Sequence, residues 1–165
     1  MSRLFGADST IVLEANLRKP FFSQTLGASS SHSIQDALEN DDLTLKAVTR
    51  VERLGFSVIS AGTVGSLGSA QGEEFYLEGI GKLIDMLRGK FKYVLIDSPP
   101  VLPYVDSDII SGFVDGVAIV VEANSTRSEV LNVAINRLKS VDAKIVGLIL
   151  NKRVFYIPKW LYKFV

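Results

Sequence analysis

The sequence predicts an α/β fold built on a mainly parallel β-sheet. Short apolar segments alternate with segments of helical periodicity along the 165 residues, which is typical of strands joined by crossover helices. Residues 93–97 form a continuous apolar run that closes with Asp97, and Pro99 and Pro100 follow it. Such a run indicates a strand buried on both faces of a sheet, which the prolines end. Apolar residues make up 47% of the chain and charged residues 22%, as in a globular domain.

The first half of the chain predicts three strands and one short helix. The first strand covers residues 10–13, where Thr, Ile, Val and Leu run together. Ser33 is placed to cap a short helix at residues 34–39. Residues 45–51 and 56–60 flank a turn-like Glu-Arg-Leu-Gly segment, so we expect two short strands there.

The second half predicts three helices and three strands, the segment 93–97 among the strands. Residues 73–88 place their large apolar side chains on one face at helical spacing. A short helix is expected to start at Asp106, and a buried strand is expected at residues 117–121. The Thr-Arg-Ser-Glu segment 126–129 has the capping-box pattern that begins a helix. Residues 145–150 are the last predicted strand.

Composition excludes several classes of function. The chain has no Cys, which rules out disulfides, thiolate catalysis and cysteine metal sites. Lys and Arg together equal Asp and Glu, so no overall field favours nucleic acid as a partner. There is no signal peptide and no apolar run near the length of a membrane span, so we expect a cytoplasmic protein.

Polar side chains follow three of the predicted strands. They are Glu14, Asn16 and Arg18 after the first strand, Asp97 at the end of the fourth, and Asn151 and Arg153 after the last. Because ligands of open α/β sheets bind at the carboxyl ends of parallel strands, we expect these groups to converge on a nucleotide. Two carboxylates suit Mg²⁺, and an arginine suits phosphate oxygens. The alternative is that Arg18 is an ordinary exposed charge and Asn151 an ordinary turn residue.

Four segments resemble a known family in the same order along the chain. Residues 11–20 are similar to the Walker A′ motif of the bacterial tyrosine kinases that regulate capsular and exopolysaccharide export. Residues 94–100 resemble the Walker B strand of that family. Residues 115–121 and 146–151 match two later strands in order and spacing. The resemblance implies a three-layer P-loop NTPase-like domain of the deviant Walker type.

The resemblance also implies roles for individual residues. Asp97 would bind the magnesium of ATP, while Glu14 and Asn16 stand where the family has two aspartates. Arg18 matches the arginine of the motif. The cofactor-binding positions would be Asn151, at the asparagine expected near the adenine, and Arg153. Glu is longer than Asp and Asn lacks its charge, so both departures weaken the expectation of full phosphoryl transfer.

A P-loop is missing from these 165 residues. Its Gly-x-x-x-x-Gly-Lys followed by Ser or Thr supplies the backbone N–H groups and the lysine that hold the phosphates. Gly81-Lys82 and Gly89-Lys90 are each followed by an apolar residue, and neither has a glycine at the first position of the motif. The expected domain therefore lacks the N-terminal P-loop strand and helix, and we expect it to bind ATP poorly.

Three functions remain open at this stage. The first is a cytoplasmic ATPase and protein-tyrosine kinase of polysaccharide assembly, incomplete or impaired as this chain. The second is a non-catalytic pseudo-ATPase scaffold of the same machinery, and the third and weakest is a positioning ATPase of the ParA/MinD type. The resemblance implies a transmembrane polysaccharide co-polymerase as partner and allows a homo-oligomer.

The chain ends in an aromatic and basic tail. We take residues 1–153 as the NTPase-like domain and residues 154–165 as the tail. The tail contains five aromatic residues, two lysines and no acidic residue. Such a tail contacts either a membrane interface or the cytoplasmic end of a transmembrane partner. The alternative is that it folds back over the sheet.

Overall fold

The computed structural model describes residues 9–27, 30–62 and 70–154, with the backbone alone for 70–75 and 77. The strands are Thr10–Glu14 (β1), Thr49–Val51 (β2), Phe56–Ile59 (β3), Tyr93–Asp97 (β4), Val117–Glu122 (β5) and Ile145–Asn151 (β6). The helices are Phe22–Leu26 (α1), Ile34–Glu39 (α2), Thr44–Ala47 (α3), Ala70–Arg88 (α4), Asp106–Ser111 (α5) and Ser128–Ser140 (α6). A 3₁₀ turn, Asp41–Leu43, precedes α3.

The described strands form two sheets. The larger sheet has the order β2-β3-β1-β4, and the smaller consists of β5 and β6. β1 is parallel to both β3 and β4, β5 is parallel to β6, and only the β2–β3 hairpin is antiparallel among the described pairs. The α/β class and the mainly parallel sheet predicted from the sequence are therefore confirmed.

Helices cover both faces of the larger sheet near β1. On one face Ile11 and Leu13 pack in a cluster with Ile80 and Leu87 of α4, all fully buried. On the other face Val12 packs with Val58 and with Phe22 of α1. This follows from the alternation of side chains along a strand, which sends neighbouring residues to opposite faces.

Only one face of the smaller sheet is covered among the described residues. Ile119 packs against Leu138 of α6 and Ala143. Val120 and Ile149, which are register partners, are 61% and 52% exposed. The smaller sheet is therefore held by α6 on one side and leaves apolar surface open on the other.

The structure corrects three details of the sequence prediction. Residues 45–47 belong to helix α3, because Ala47 packs into the core under α2, and the strand begins only at Thr49. The N-cap of α6 is Arg127, without a side-chain capping bond, so the capping box predicted at 126–129 does not form.

The expectation that β4 and β5 are buried on both faces is also wrong. Leu95 is 38% exposed, and Val120 more so, because no described element covers that face or pairs with the free edge of either strand. The tail prediction lies outside the described residues apart from Val154. No helix among the described parts of the chain is long and apolar enough to cross a membrane.

Candidate functional site

Two carboxylates lie side by side at the carboxyl edge of the larger sheet. Glu14 ends β1 and Asp97 ends β4, and the two residues are register partners. The backbone N–H of Ala15 donates to the carbonyl of Asp97 at 2.9 Å, which continues the ladder one step past the strands. The sequence prediction that these two strand ends meet at one edge therefore agrees with the structure.

The Glu14 carboxylate is occupied by backbone donors. One of its oxygens, Oε1, accepts the N–H groups of Phe21 and Phe22 at the start of α1, the second at 2.7 Å. The other, Oε2, accepts the N–H of Ala61 at 2.8 Å, just past β3. The side chain is fully buried. Glu14 therefore ties α1 and the end of β3 to β1, as a buried carboxylate with charge-assisted hydrogen bonds does.

Asp97 is placed differently from its neighbour. It is exposed and is one of the residues that line a cavity of about 1050 Å³ between β4 and β5. Partial burial, and then the charge of Glu14, raise the pKa of the Asp97 carboxyl above its ordinary value. Asp97 is therefore the carboxylate of the pair that faces open space.

The Arg18 side chain contacts two residues of the segment that follows β4. Its guanidinium lies 4.2 Å from the centroid of the Tyr104 ring, and one of its nitrogens is 3.5 Å from the Asp106 carboxylate. Asp106 is itself buried at the start of α5. These contacts join the loop after β1 to the segment after β4.

The remaining predicted site residues fall into two places. Asn16 follows β1, and its carbonyl accepts the N–H of Lys19 in a turn. Asn151 ends β6, where its Oδ1 accepts the N–H of Lys152, and Arg153 is exposed beyond it. Because β5 and β6 form a separate sheet, Asn151 and Arg153 do not lie on one continuous sheet edge with Asp97.

Sequence reasoning missed how much of this edge is fixed by hydroxyl and carboxylate contacts. Ser107 donates to the carbonyl of Pro99 at 2.6 Å and lies 2.8 Å from the hydroxyl of Ser98. Tyr76 is buried and donates to the carbonyl of Ala15 at 3.1 Å. The polar residues between Ser98 and Ser107 were the sequence pattern from which the contacts of Asp106 and Ser107 could have been predicted. Nothing in the helix pattern distinguished Tyr76 from an ordinary core residue.

The residues present do not make a magnesium site by themselves. No group of three or more His, Cys, Asp or Glu that could hold a metal occurs in the described part of the chain. Of the expected pair, Glu14 is fully buried and both of its oxygens accept N–H groups. Asp97 is therefore the carboxylate of the pair that is exposed and could bind a metal ion. Magnesium bound through one carboxylate depends on substrate phosphates for its other anionic ligands, and these 165 residues contain no P-loop to hold them.

The chain is similar in sequence to known bacterial proteins. It is 29% identical over 146 residues to the tyrosine-protein kinase CpsD of Streptococcus agalactiae, and this match covers 87% of the chain. It is 24% identical over 143 residues to the succinoglycan biosynthesis transport protein ExoP of Rhizobium meliloti, covering 87% of the chain. The relatives of this chain are bacterial tyrosine kinases and a transport protein of polysaccharide synthesis.

Solved kinase domains share the fold. The kinase domain of VpsO superposes with a TM-score of 0.78 at 28% identity, covering 88% of this chain and 71% of that one. The kinase domain of Escherichia coli ETK gives a TM-score of 0.78 at 22% identity, covering 92% of this chain and 59% of that one. The predicted resemblance to capsule and exopolysaccharide tyrosine kinases is confirmed by these names and folds.

The match is partial with respect to the relatives. The chain spans 62% of the length of CpsD and 18% of ExoP. No protein-family profile matches it. The activity of the whole relatives is therefore not carried over with the fold.

Proposed function

We propose that this chain is a tyrosine-kinase-type protein of capsular or exopolysaccharide assembly whose 165 residues act as a binding module rather than as a phosphotransferase. The observation that supports this is the state of the Glu14 carboxylate, which is buried and engaged by three backbone N–H groups. Because the Glu14 side chain is fully buried, a metal ion or a tyrosine hydroxyl reaches its carboxylate only if the loops around it move apart.

A second candidate is the complete kinase activity, with ATP and Mg²⁺ as cofactors. It is favoured by one observation, the placement of Asp97 at an open cavity next to Glu14. In this candidate Asp97 is the metal-binding residue, Asn16 and Arg18 are catalytic, and Asn151 and Arg153 contact the nucleotide. It requires a phosphate-binding loop from residues beyond these 165.

The proposed partner is the cytoplasmic side of a transmembrane polysaccharide co-polymerase, at the inner face of the plasma membrane. The names of the relatives support this, since they include a transport protein of succinoglycan synthesis. A homo-oligomer and a membrane contact through residues 154–165 are parts of the same proposal. The ParA/MinD-type interpretation has no support among the matches described above.

Nucleotide binding by these 165 residues tests the first candidate. We expect thermal unfolding of the chain to be unchanged by Mg-ATP up to millimolar concentration, with the ETK kinase domain as the positive control. A ligand at ten times its Kd stabilises a protein by roughly 1.4 kcal/mol, which a melting curve resolves. Saturable stabilisation of the wild-type chain that is lost in Asp97→Asn would instead establish the kinase-type site.

A further inference from the structure

The backbone of the loop after β1, residues 15–21, is held in place. Its first carbonyl accepts the Tyr76 hydroxyl at 3.1 Å, and its last N–H donates to the Glu14 carboxylate. Between these two bonds, Leu17 is buried in the core. The side chain of Arg18 is therefore a part of this loop that can change position while the backbone stays where it is.

The Arg18 guanidinium lies between an aromatic ring and a carboxylate. It is 4.2 Å from the centroid of the Tyr104 ring, and one of its nitrogens is 3.5 Å from an oxygen of Asp106. The face of a tyrosine ring attracts a cation, and so does a carboxylate. We name Arg18, Tyr104 and Asp106 the arginine latch.

The latch is strong enough to hold the arginine and weak enough to open. The Asp106 side chain is only 11% exposed, whereas the Arg18 side chain is 34% exposed. An ion pair that is long and partly in water contributes little to stability. The guanidinium can therefore leave its two partners without unfolding of the domain.

Helix α6 fixes the part of the chain that carries the ring. Arg137 donates to the carbonyl of Tyr104 at 2.9 Å and to the carbonyl of Leu102 at 2.7 Å. The same guanidinium pairs with the Asp108 carboxylate at 2.9 Å. The position of the Tyr104 backbone thus depends on a residue of α6, on the side of the molecule that holds the smaller sheet.

We propose that the arginine latch is an autoinhibitory contact that withholds the Arg18 guanidinium from ligands at the carboxyl edge of the larger sheet. Arginine is the side chain best suited to bind a phosphate or a carboxylate through two parallel hydrogen bonds. A ligand that uses Arg18 has to displace Tyr104 and Asp106. Its apparent affinity is therefore reduced in proportion to the fraction of molecules in which the latch is open.

Chemical modification of Arg18 measures that fraction in the full chain. The probe is phenylglyoxal, which reacts with free guanidinium groups, and peptide mass spectrometry gives the rate for each arginine. We expect Arg18 to react about fivefold more slowly than the exposed Arg127, since a cation–π contact is worth about one such factor in an equilibrium. The rate for Arg127 also serves as the internal reference in every variant.

Two variants of Tyr104 separate the ring from the hydroxyl. Tyr104→Leu removes the aromatic face and should raise the Arg18 rate about fivefold. Tyr104→Phe keeps the face, and its rate should stay within about twofold of the wild-type rate. Equal Arg18 rates in Tyr104→Leu and the wild-type chain would overturn the proposal, as would an equal rise in both variants.

Two controls separate the latch from general stability and from the local segment. Ile80→Val trims a fully buried side chain of α4 and destabilises the core without touching the latch. Val105→Ala changes an exposed neighbour of Tyr104. Neither should change the Arg18 rate. A rise in Ile80→Val as large as that in Tyr104→Leu would show that Arg18 reacts through unfolding and would contradict the latch.

The contribution of α6 is tested with Arg137→Lys. Lysine keeps a cation beside Asp108 but lacks the planar fork that reaches two carbonyls, so the Arg18 rate should rise about threefold. An unchanged rate would contradict the role of α6 in placing Tyr104. The latch consists of contacts within the chain and does not rest on the proposed function. Mg-ATP titration tests that function with a different readout, so the two failures are distinguishable.

Discussion

The two sheets of this protein differ in how completely they are covered. β1, in the middle of the larger sheet, has helices on both faces, and both Ile11 and Leu13 are fully buried. β6 of the smaller sheet is exposed at nearly every residue, with Leu148 at 53%. Similar apolar strand sequences thus end in opposite environments, because burial depends on the neighbouring elements and not on the strand itself.

Truncating one leucine in each region should give the largest contrast. Leu87→Ala removes a fully buried side chain of α4 from the core and is expected to cost about 2–5 kcal/mol of unfolding free energy. Leu148→Ala in β6 should change it by less than about 0.5 kcal/mol. Urea unfolding followed by circular dichroism measures both. Equal losses would mean that β6 is covered in solution.

Replacement of Glu14 is expected to give the next largest loss of unfolding free energy. Glu14→Gln keeps the volume but turns an NH₂ group toward backbone donors, leaving at least one buried N–H without an acceptor at a cost of about 2–3 kcal/mol. Glu52→Gln, at an 86% exposed side chain, is the control with the same chemical change. If both variants unfold at the same urea concentration, the Glu14 carboxylate does not anchor the loops.

Arg137 connects the two regions, and its loss should separate them. Its guanidinium pairs with Asp108 at 2.9 Å and donates to the carbonyls of Leu102 and Tyr104, joining α6 to α5 and the loop before it. Arg137→Met should cost about 1–3 kcal/mol, since it leaves a largely buried carboxylate unpaired. The exposed Arg127→Met is the control.

The loss of Arg137 should also change how the protein unfolds. We expect hydrogen exchange of the amides of β1 and of β5, followed against urea concentration, to show separate midpoints in Arg137→Met and one shared midpoint in the wild-type chain. A single coincident transition in the variant would show that other contacts couple the sheets.

The described strands other than β2 were predictable from the sequence because each is a mainly apolar run. β2 has three residues, with Arg50 in the middle, and its predicted start at residue 45 was wrong. The bounds of β4 agree with the prediction at both ends, Tyr93 and Asp97. Helix α3 was not predictable, since its four residues have the apolar spacing of a strand and are fixed by the packing of Ala47 into the core. Local patterns determine which segments are regular, and tertiary contacts decide the short ambiguous ones.

The candidate site was predictable in its location but not in its state. Two carboxylates at adjacent strand ends follow from the sheet, and Glu14 and Asp97 are indeed in register. The engagement of Glu14 depends on the N–H of Ala61, 47 residues away, which no local pattern shows. The roles of Asn151 and Arg153 toward a nucleotide stay predictions.

Replacement of Asp97 is expected to change the free energy of unfolding least, and this change should depend on pH. Its pKa is raised in the folded state by burial and by Glu14, so the folded protein binds this proton more tightly than the unfolded chain does. The stabilising contribution is therefore complete below the ordinary pKa of 3.8 and is lost as the pH rises through the folded pKa. Asp97→Asn removes the titration and should unfold at slightly higher urea than the wild-type chain at pH 7.

That advantage of Asp97→Asn should shrink as the pH is lowered toward 3.8, the ordinary pKa of an aspartate. The control is Asp142→Asn at an exposed loop position, whose difference from the wild-type chain should not follow this trend. Urea midpoints of the three proteins between pH 4 and pH 8 test the expectation. If Asp97→Asn were less stable than the wild-type chain at pH 7, the ionised Asp97 carboxylate would have a stabilising partner at the cavity between β4 and β5. The contrast between Glu14 and Asp97 would then disappear.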